Sequence, residues 1–156
     1  FARKPLEALD YGFENLERAF HKCPAGVMRT VHMCCGYPDR LDNPNYPKAD
    51  PRSYAELASS IEDTSIDVVS LEDAHCHNDL SFLEHFQKTR VILGVVAVAK
   101  SVVEPVEQIQ ARLQAALAHI DMERLIAAPD CGLGLLGRDL ARAKLANLCE
   151  AARTFR

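Results

Sequence analysis

Val91-Ile92-Leu93-Gly94-Val95-Val96-Ala97-Val98-Ala99 is an unbroken apolar run, and its reading decides the fold. A strand this uniformly apolar is expected where both faces are buried, as in a parallel sheet covered by helices. The run is about half the roughly 18 to 20 residues that a membrane-spanning helix requires. Its flanks carry helical spacing. Residues 79 to 87 place Leu80, Leu83 and Phe86 on one side of a short helix. Beyond the run, Pro105 opens a helix with Val106, Ile109, Leu113, Leu117 and Ile120 in register.

Working outward, the same alternation recurs. Upstream, Ile66-Asp67-Val68-Val69-Ser70-Leu71 reads as a strand delivering Glu72, preceded by a helix from Arg52 or Ser53 to about Asp63. Before that helix lies a long polar loop from Gly36 to Pro51, with Pro38, Pro44 and Pro47 inside it. Its length exceeds the usual connection and is itself a functional hint. Gly26 through Cys34 reads as another strand, and residues 5 to 22 as a helix with Leu6, Leu9, Phe13, Leu16 and Phe20 on one face. Downstream, Arg124 to Ala128 is the last strand, and a final helix runs from Arg138 to Arg153 with Leu140, Leu145 and Leu148.

A helix followed by four strand–helix repeats means an α/β fold with parallel strands. Four βα units are half of a TIM-type eight-fold barrel, which typically takes about 250 residues. The 156 residues therefore read as a single partial-barrel domain, 1–156. A half-barrel has two open edges, so self-association or a missing N-terminal half is expected. Phe1 in place of an initiator Met agrees with that expectation.

Composition narrows the function classes. The chain is 48% hydrophobic and 26% charged, with a formal net charge of -4 and no basic stripe, which argues against nucleic acid. The first residues lack the apolar segment of a secretory signal, and no membrane partner is expected. Six cysteines in a chain that is neither short nor loop-rich read as reduced thiols of a cytoplasmic protein.

In alternating α/β chains the chemistry gathers where strands run into loops. Four such positions carry metal-binding side chains: His32, Cys34, Glu72 and Cys131. His32 and Cys34 share one face of a strand while Met33 faces the other way. Two soft sulfurs, an imidazole and a carboxylate together suit a four-coordinate Zn2+. Cys35 should face away from them and pack. His75, Cys76 and His77 follow Glu72 and are expected to line the substrate mouth or face solvent. Asp130 could accept a neighbouring hydrogen bond, Lys100 is expected to be solvated, and the Gly36–Pro51 loop could cover the site through Tyr37 and Tyr46. His21, His85 and His119 fall near helix ends, where they would offset the helix dipoles.

Three motifs in this order, TVHMCC (30–35), DVVSLED (67–73) and LIAAPDCGL (125–133), resemble the catalytic barrel of cobalamin-independent methionine synthase and related zinc-dependent thiol alkyltransferases. PDCGL is the most specific of them. The resemblance implies the second half of that barrel, with the family's zinc ligands falling on His32, Cys34, Glu72 and Cys131. It also implies a small-molecule thiol held for alkylation by an alkyl donor, as in methyl transfer to homocysteine.

The chain departs from the synthase pattern at Ala97-Val98-Ala99-Lys100, where methionine synthases carry an Asp-x-His whose His transfers a proton. That departure favours a different electrophile, as in an epoxyalkane:coenzyme M transferase-like enzyme. The other alternative is a catalytically silent half-barrel that binds zinc for structure. A metal-free decarboxylase of the uroporphyrinogen type would leave PDCGL and the His-x-Cys step without a reason.

Overall fold

The computed structural model describes residues 11–155. Its elements follow in the order α1 (Phe13–Phe20), β1 (Thr30–Met33), α2 (Ser53–Glu62), β2 (Val68–Leu71), a 3-10 turn (Leu80–His85), β3 (Arg90–Val96), α3 (Val106–Ala116), a second 3-10 turn (Met122–Arg124), β4 (Leu125–Pro129) and α4 (Arg138–Arg153). The four strands form one parallel sheet in the order β1-β2-β3-β4. Every neighbour in space is the next strand in sequence. This is the α/β arrangement of four parallel βα units, with β1 and β4 as its two edges.

Burial alternates along β1 and from Arg90 to Leu93 of β3, because successive side chains point to opposite faces. Val69, Leu71, Val91 and Leu93 are fully buried and share a core with Leu57 and Ile61 of α2, Ile109 and Leu113 of α3, and Leu148 of α4. On the other face Thr30 and His32 are exposed, and Ser70, Arg90 and Ile92 are only half covered. One face of the sheet thus lies under helices while part of the other is open near β1, and the Val91–Ala99 run is buried at every position except Ile92, as its composition suggested. The first part of β3 is tied to β2 by registered pairing from Val68↔Arg90 to Leu71↔Leu93.

Several boundaries move for identifiable reasons. Pro5, Leu6 and Leu9 of the first helix lie outside the described residues, and α1 proper covers Phe13–Phe20 with His21 as its C-cap. The first strand shrinks to Thr30–Met33 because only that stretch finds partners on β2. Residues 79 to 87 form a 3-10 turn instead of a helix: Asp79 caps it through Ser81 N–H, and extended backbone at Phe86 ends it after six residues. The fourth helix buries Lys144, Leu148 and Ala151, with Leu140 and Leu145 half-covered at its flanks.

Lys144 is the unexpected member of that face. Its ammonium is completely buried because Glu104 takes it at 2.9 and 3.0 Å and Val102 O accepts a third hydrogen bond. Glu104 Oε1 also accepts Ala97 N–H at 3.0 Å. A buried charge survives only when paired in this way, and here the pair ties α4 to the backbone just past β3. At the opposite end of the sheet, Arg29 grips Asp67 through Nε and Nη2, stitching the start of β1 to the start of β2. That contact and the Arg29 N–H bond pull the Asp67 carboxyl from 3.8 to about 2.

Candidate metal centre

β1 delivers His32 and, one residue past its end, Cys34. Register places His32 directly across from Ser70 on β2. That alignment matters chemically: His32 Nδ1 lies 3.0 Å from Ser70 Oγ, while Nε2 lies 3.2 Å from Cys131 Sγ. A Nδ1–H donated to the serine hydroxyl fixes the tautomer and leaves the Nε2 lone pair facing the thiols, the outer support that metal-binding histidines commonly use. Donor atoms of His32, Cys34 and Cys131 all lie within 4.8 Å of one another.

Glu72, the remaining expected ligand, follows β2 and groups instead with His75 and Asp130. It is almost fully buried, at 1% exposure. One oxygen, Oε1, pairs with the ammonium of Lys48. The other, Oε2, is buried with no hydrogen-bond partner. The two groups adjoin, since Asp130 and Cys131 are consecutive. The Cys131 thiol is pushed far above its ordinary range by burial, by the neighbouring Cys34 and its hydrogen bond, and by the charges of Glu72 and Asp130. A buried thiol beside anionic groups, and a buried carboxylate oxygen with no hydrogen-bond partner, are both features that a bound cation would relieve. The donor set therefore fits a thiophilic divalent ion such as Zn2+.

Asp130 is the hub that holds this geometry. Fully buried, its Oδ1 accepts Asp73 N–H and Ala74 N–H, each at 2.9 Å. Its Oδ2 accepts His75 N–H at 2.8 Å and His75 Nδ1–H at 2.6 Å. His75 Nε2 in turn accepts Ala99 N–H at 3.1 Å. Both ring nitrogens are thereby used, so His75 is a neutral structural link between three strand ends. This corrects the expectation that it lines the substrate mouth or faces solvent: its side chain is 2% exposed. Gly94 is required beneath Asp130, because a Cβ there would meet Asp130 Oδ1 at 2.2 Å and its Cα at 2.6 Å.

The Gly36–Pro51 loop runs back over these strand ends. Asp42 N–H donates to Ala99 O at 2.9 Å and Asp42 Oδ1 accepts Ser101 N–H at 2.9 Å, with Asp42 itself in the left-handed region at φ 58°. Ala49 N–H returns to Cys35 O at 2.9 Å. Tyr37 stacks on the His75 ring at 6.3 Å between centroids, and the Lys48 ammonium sits 5.8 Å from the Tyr46 ring. Burial lowers the Lys48 pKa, yet its hydrogen bond and attraction to Glu72 outweigh this and leave it raised. Cys35 packs in the core, where burial pushes its thiol upward, while His77 and Lys100 are exposed. His119 pairs with Glu84 at 2.6 Å, and His21 Nδ1 lies 2.9 Å from Arg18 O in the last turn of α1. All six cysteines are free.

Sequence reasoning missed Lys48 and Ser70. Ser70 was findable in principle, since any residue registered opposite His32 must lie on the same face. Lys48 was not, because nothing in a loop sequence says which strand end its side chain reaches.

Residues 51–154 match the family model described as the catalytic domain of cobalamin-independent synthase. The chain belongs to that family. It is 36% identical over 105 residues to the 5-methyltetrahydropteroyltriglutamate–homocysteine methyltransferase of Streptomyces avermitilis, covering 66% of this chain and 14% of the relative. It is 32% identical over 105 residues to the methionine synthase of Pyrococcus furiosus, covering 67% of this chain and 31% of the relative. Among solved structures, the B12-independent methionine synthase of Shewanella sp. W3-18-1, in complex with selenomethionine, superimposes with a TM-score of 0.83 at 26% identity. That superposition covers 97% of this chain and 45% of the Shewanella chain. The chain thus spans less than half the length of each of these relatives, in keeping with a half-barrel. No helix among the described residues is long and apolar enough to cross a membrane.

Proposed function

We propose that this chain carries the metal half of a zinc-dependent thiol alkyltransferase. In this reading His32, Cys34, Glu72 and Cys131 hold Zn2+, and a small-molecule thiol is alkylated beside them. Bound there, zinc supplies a positive partner that keeps a substrate thiol deprotonated near neutral pH, although a free thiol titrates near 8.5. The observation carrying the proposal is the convergence of His32 Nε2 and two thiols within 4.8 Å, next to the partnerless Oε2 of Glu72. The remaining residues prepare the site. Ser70 fixes the His32 tautomer, Asp130 and His75 hold the loops that present Glu72 and Cys131, and the Gly36–Pro51 loop narrows access for water.

Methyl transfer to homocysteine is the reading that the named relatives favour. The missing half of the barrel would then supply most contacts to the methyl donor, and it is the partner proposed for the open edges of the sheet. One feature favours another electrophile, such as the epoxide of an epoxyalkane:coenzyme M transferase-like reaction. Where methionine synthases carry Asp-x-His, Ala97 and Ala99 are buried, and their N–H groups are spent on Glu104 and His75. No side chain there transfers a proton.

The test is spectroscopic. Chain loaded with Co2+ in place of zinc is titrated with homocysteine and, separately, with coenzyme M. A changed ligand-field spectrum on adding either thiol supports a site that takes substrate sulfur, and the more effective thiol identifies the class. A spectrum inert to both supports a closed structural metal site and refutes the transferase reading.

A further inference from the structure

Glu72 presents its two oxygens to unlike surroundings. Oε1 is gripped by Lys48 Nζ, and Oε2 is buried without a partner. The same ammonium donates to Gly36 O at 3.1 Å, so a single cation closes the loop onto its own first residue and onto the carboxylate. Ala49 N–H, next along the chain, binds Cys35 O immediately after Cys34. The loop's far end is therefore pinned to the strand end that carries two expected ligands. The Lys48 side chain is only 18% exposed, which is unusual for lysine and shows the contact to be built in.

We propose that Lys48 is a positioning residue for the metal centre: by holding Oε1 it leaves Oε2 as the oxygen that a metal takes, and it makes the Gly36–Pro51 loop part of the metal-binding unit. The proposal rests on the zinc reading above. Charge accounting supports it. A 2+ ion among two thiolates and one carboxylate leaves one net negative charge on that ligand set, and Lys48 supplies one adjacent positive charge against it. Fixing one oxygen also removes side-chain freedom that a glutamate would otherwise lose on binding. The opposite role would make Lys48 a rival cation that must leave before metal enters; the free Oε2 favours the positioning role.

The two roles predict opposite signs. Zinc affinity is measured by competition with a chromogenic chelator for the full chain and for Lys48→Met, Lys48→Arg and Glu72→Gln. The expected result is a loss of about 10–100-fold for Lys48→Met, the usual effect of removing an outer support of a ligand. Lys48→Arg should recover most of it. In the Glu72→Gln background, Lys48→Met should add little, because the two act through one contact. The Co2+ spectrum of Lys48→Met should show weakened carboxylate coordination, which a general loosening of the fold would not produce selectively. Lys48→Gln, shorter and still polar, is measured alongside in case the methionine variant fails to fold. An affinity that stays equal or tightens in a folded variant overturns the proposal alone. A parent chain that takes up no zinc overturns the reading beneath it as well.

Discussion

Replacing Asp130 by Asn is nearly isosteric, yet it should be among the costliest single changes in the molecule. The carboxylate accepts four hydrogen bonds, two on each oxygen, and all four donors are fixed: three are backbone N–H groups and the fourth is an imidazole already committed at its other nitrogen. An amide has one oxygen and one NH2 group. If its oxygen faces Asp73 and Ala74, the NH2 meets His75 N–H and Nδ1–H. If it flips, the NH2 meets Asp73 and Ala74. A change of His75 tautomer only moves the conflict to Ala99 N–H. Each arrangement leaves at least two buried donors unmatched, and an unmatched buried group costs about 1–3 kcal/mol. The expected loss is therefore about 4 kcal/mol, a large share of the roughly 5–15 kcal/mol that holds a domain together. Urea unfolding of the full chain, with fluorescence and far-UV dichroism tested for coincidence, measures it. A loss below about 1 kcal/mol would refute the four-donor account of Asp130.

Gly94→Ala should destabilise by about 3 kcal/mol, since its Cβ collides with the Asp130 backbone and side chain and the overlap cannot be relieved by a rotamer change; the same unfolding assay checks it. Lys144→Met should cost about 3–5 kcal/mol by leaving the Glu104 charge buried and unpaired, and the cost should shrink at a pH low enough to protonate Glu104. Asp67 has a folded pKa depressed to about 2, so its contribution is complete above about pH 4 and is lost as pH falls towards 2. Because the Asp67 side chain is 38% exposed, that contribution is only about 1 kcal/mol. Asp67→Asn should flatten the acid limb of the stability profile by that amount, and an unchanged limb would contradict it.

The fold was legible because its signals are periodic. The apolar run at Val91–Ala99, the helical spacing around Ile109 and Leu113, and the strand before Glu72 each follow from how a side chain meets a sheet or a helix face. What escaped was contact made without periodicity. The burial of Lys144 follows no period: it depends on Glu104, forty positions earlier, lying beside it. His75 looked like a mouth residue, and only the approach of Asp130 and Ala99 turns it inward. At the site, strand alternation foretold His32 and Cys34 together, and PDCGL pointed to Cys131. Glu72 was legible as a strand-end carboxylate, but its division between Lys48 and an unpartnered oxygen depends on a sixteen-residue loop whose path no local rule encodes.

The central claim is that one divalent ion belongs among His32, Cys34, Glu72 and Cys131. It is tested most directly by metal analysis of the folded chain, purified without chelator, beside the Cys131→Ala and His32→Ala variants. The account predicts about one zinc per chain in the parent and almost none in either variant, with helix content largely kept. A folded parent without zinc, or variants that retain full occupancy, would contradict it.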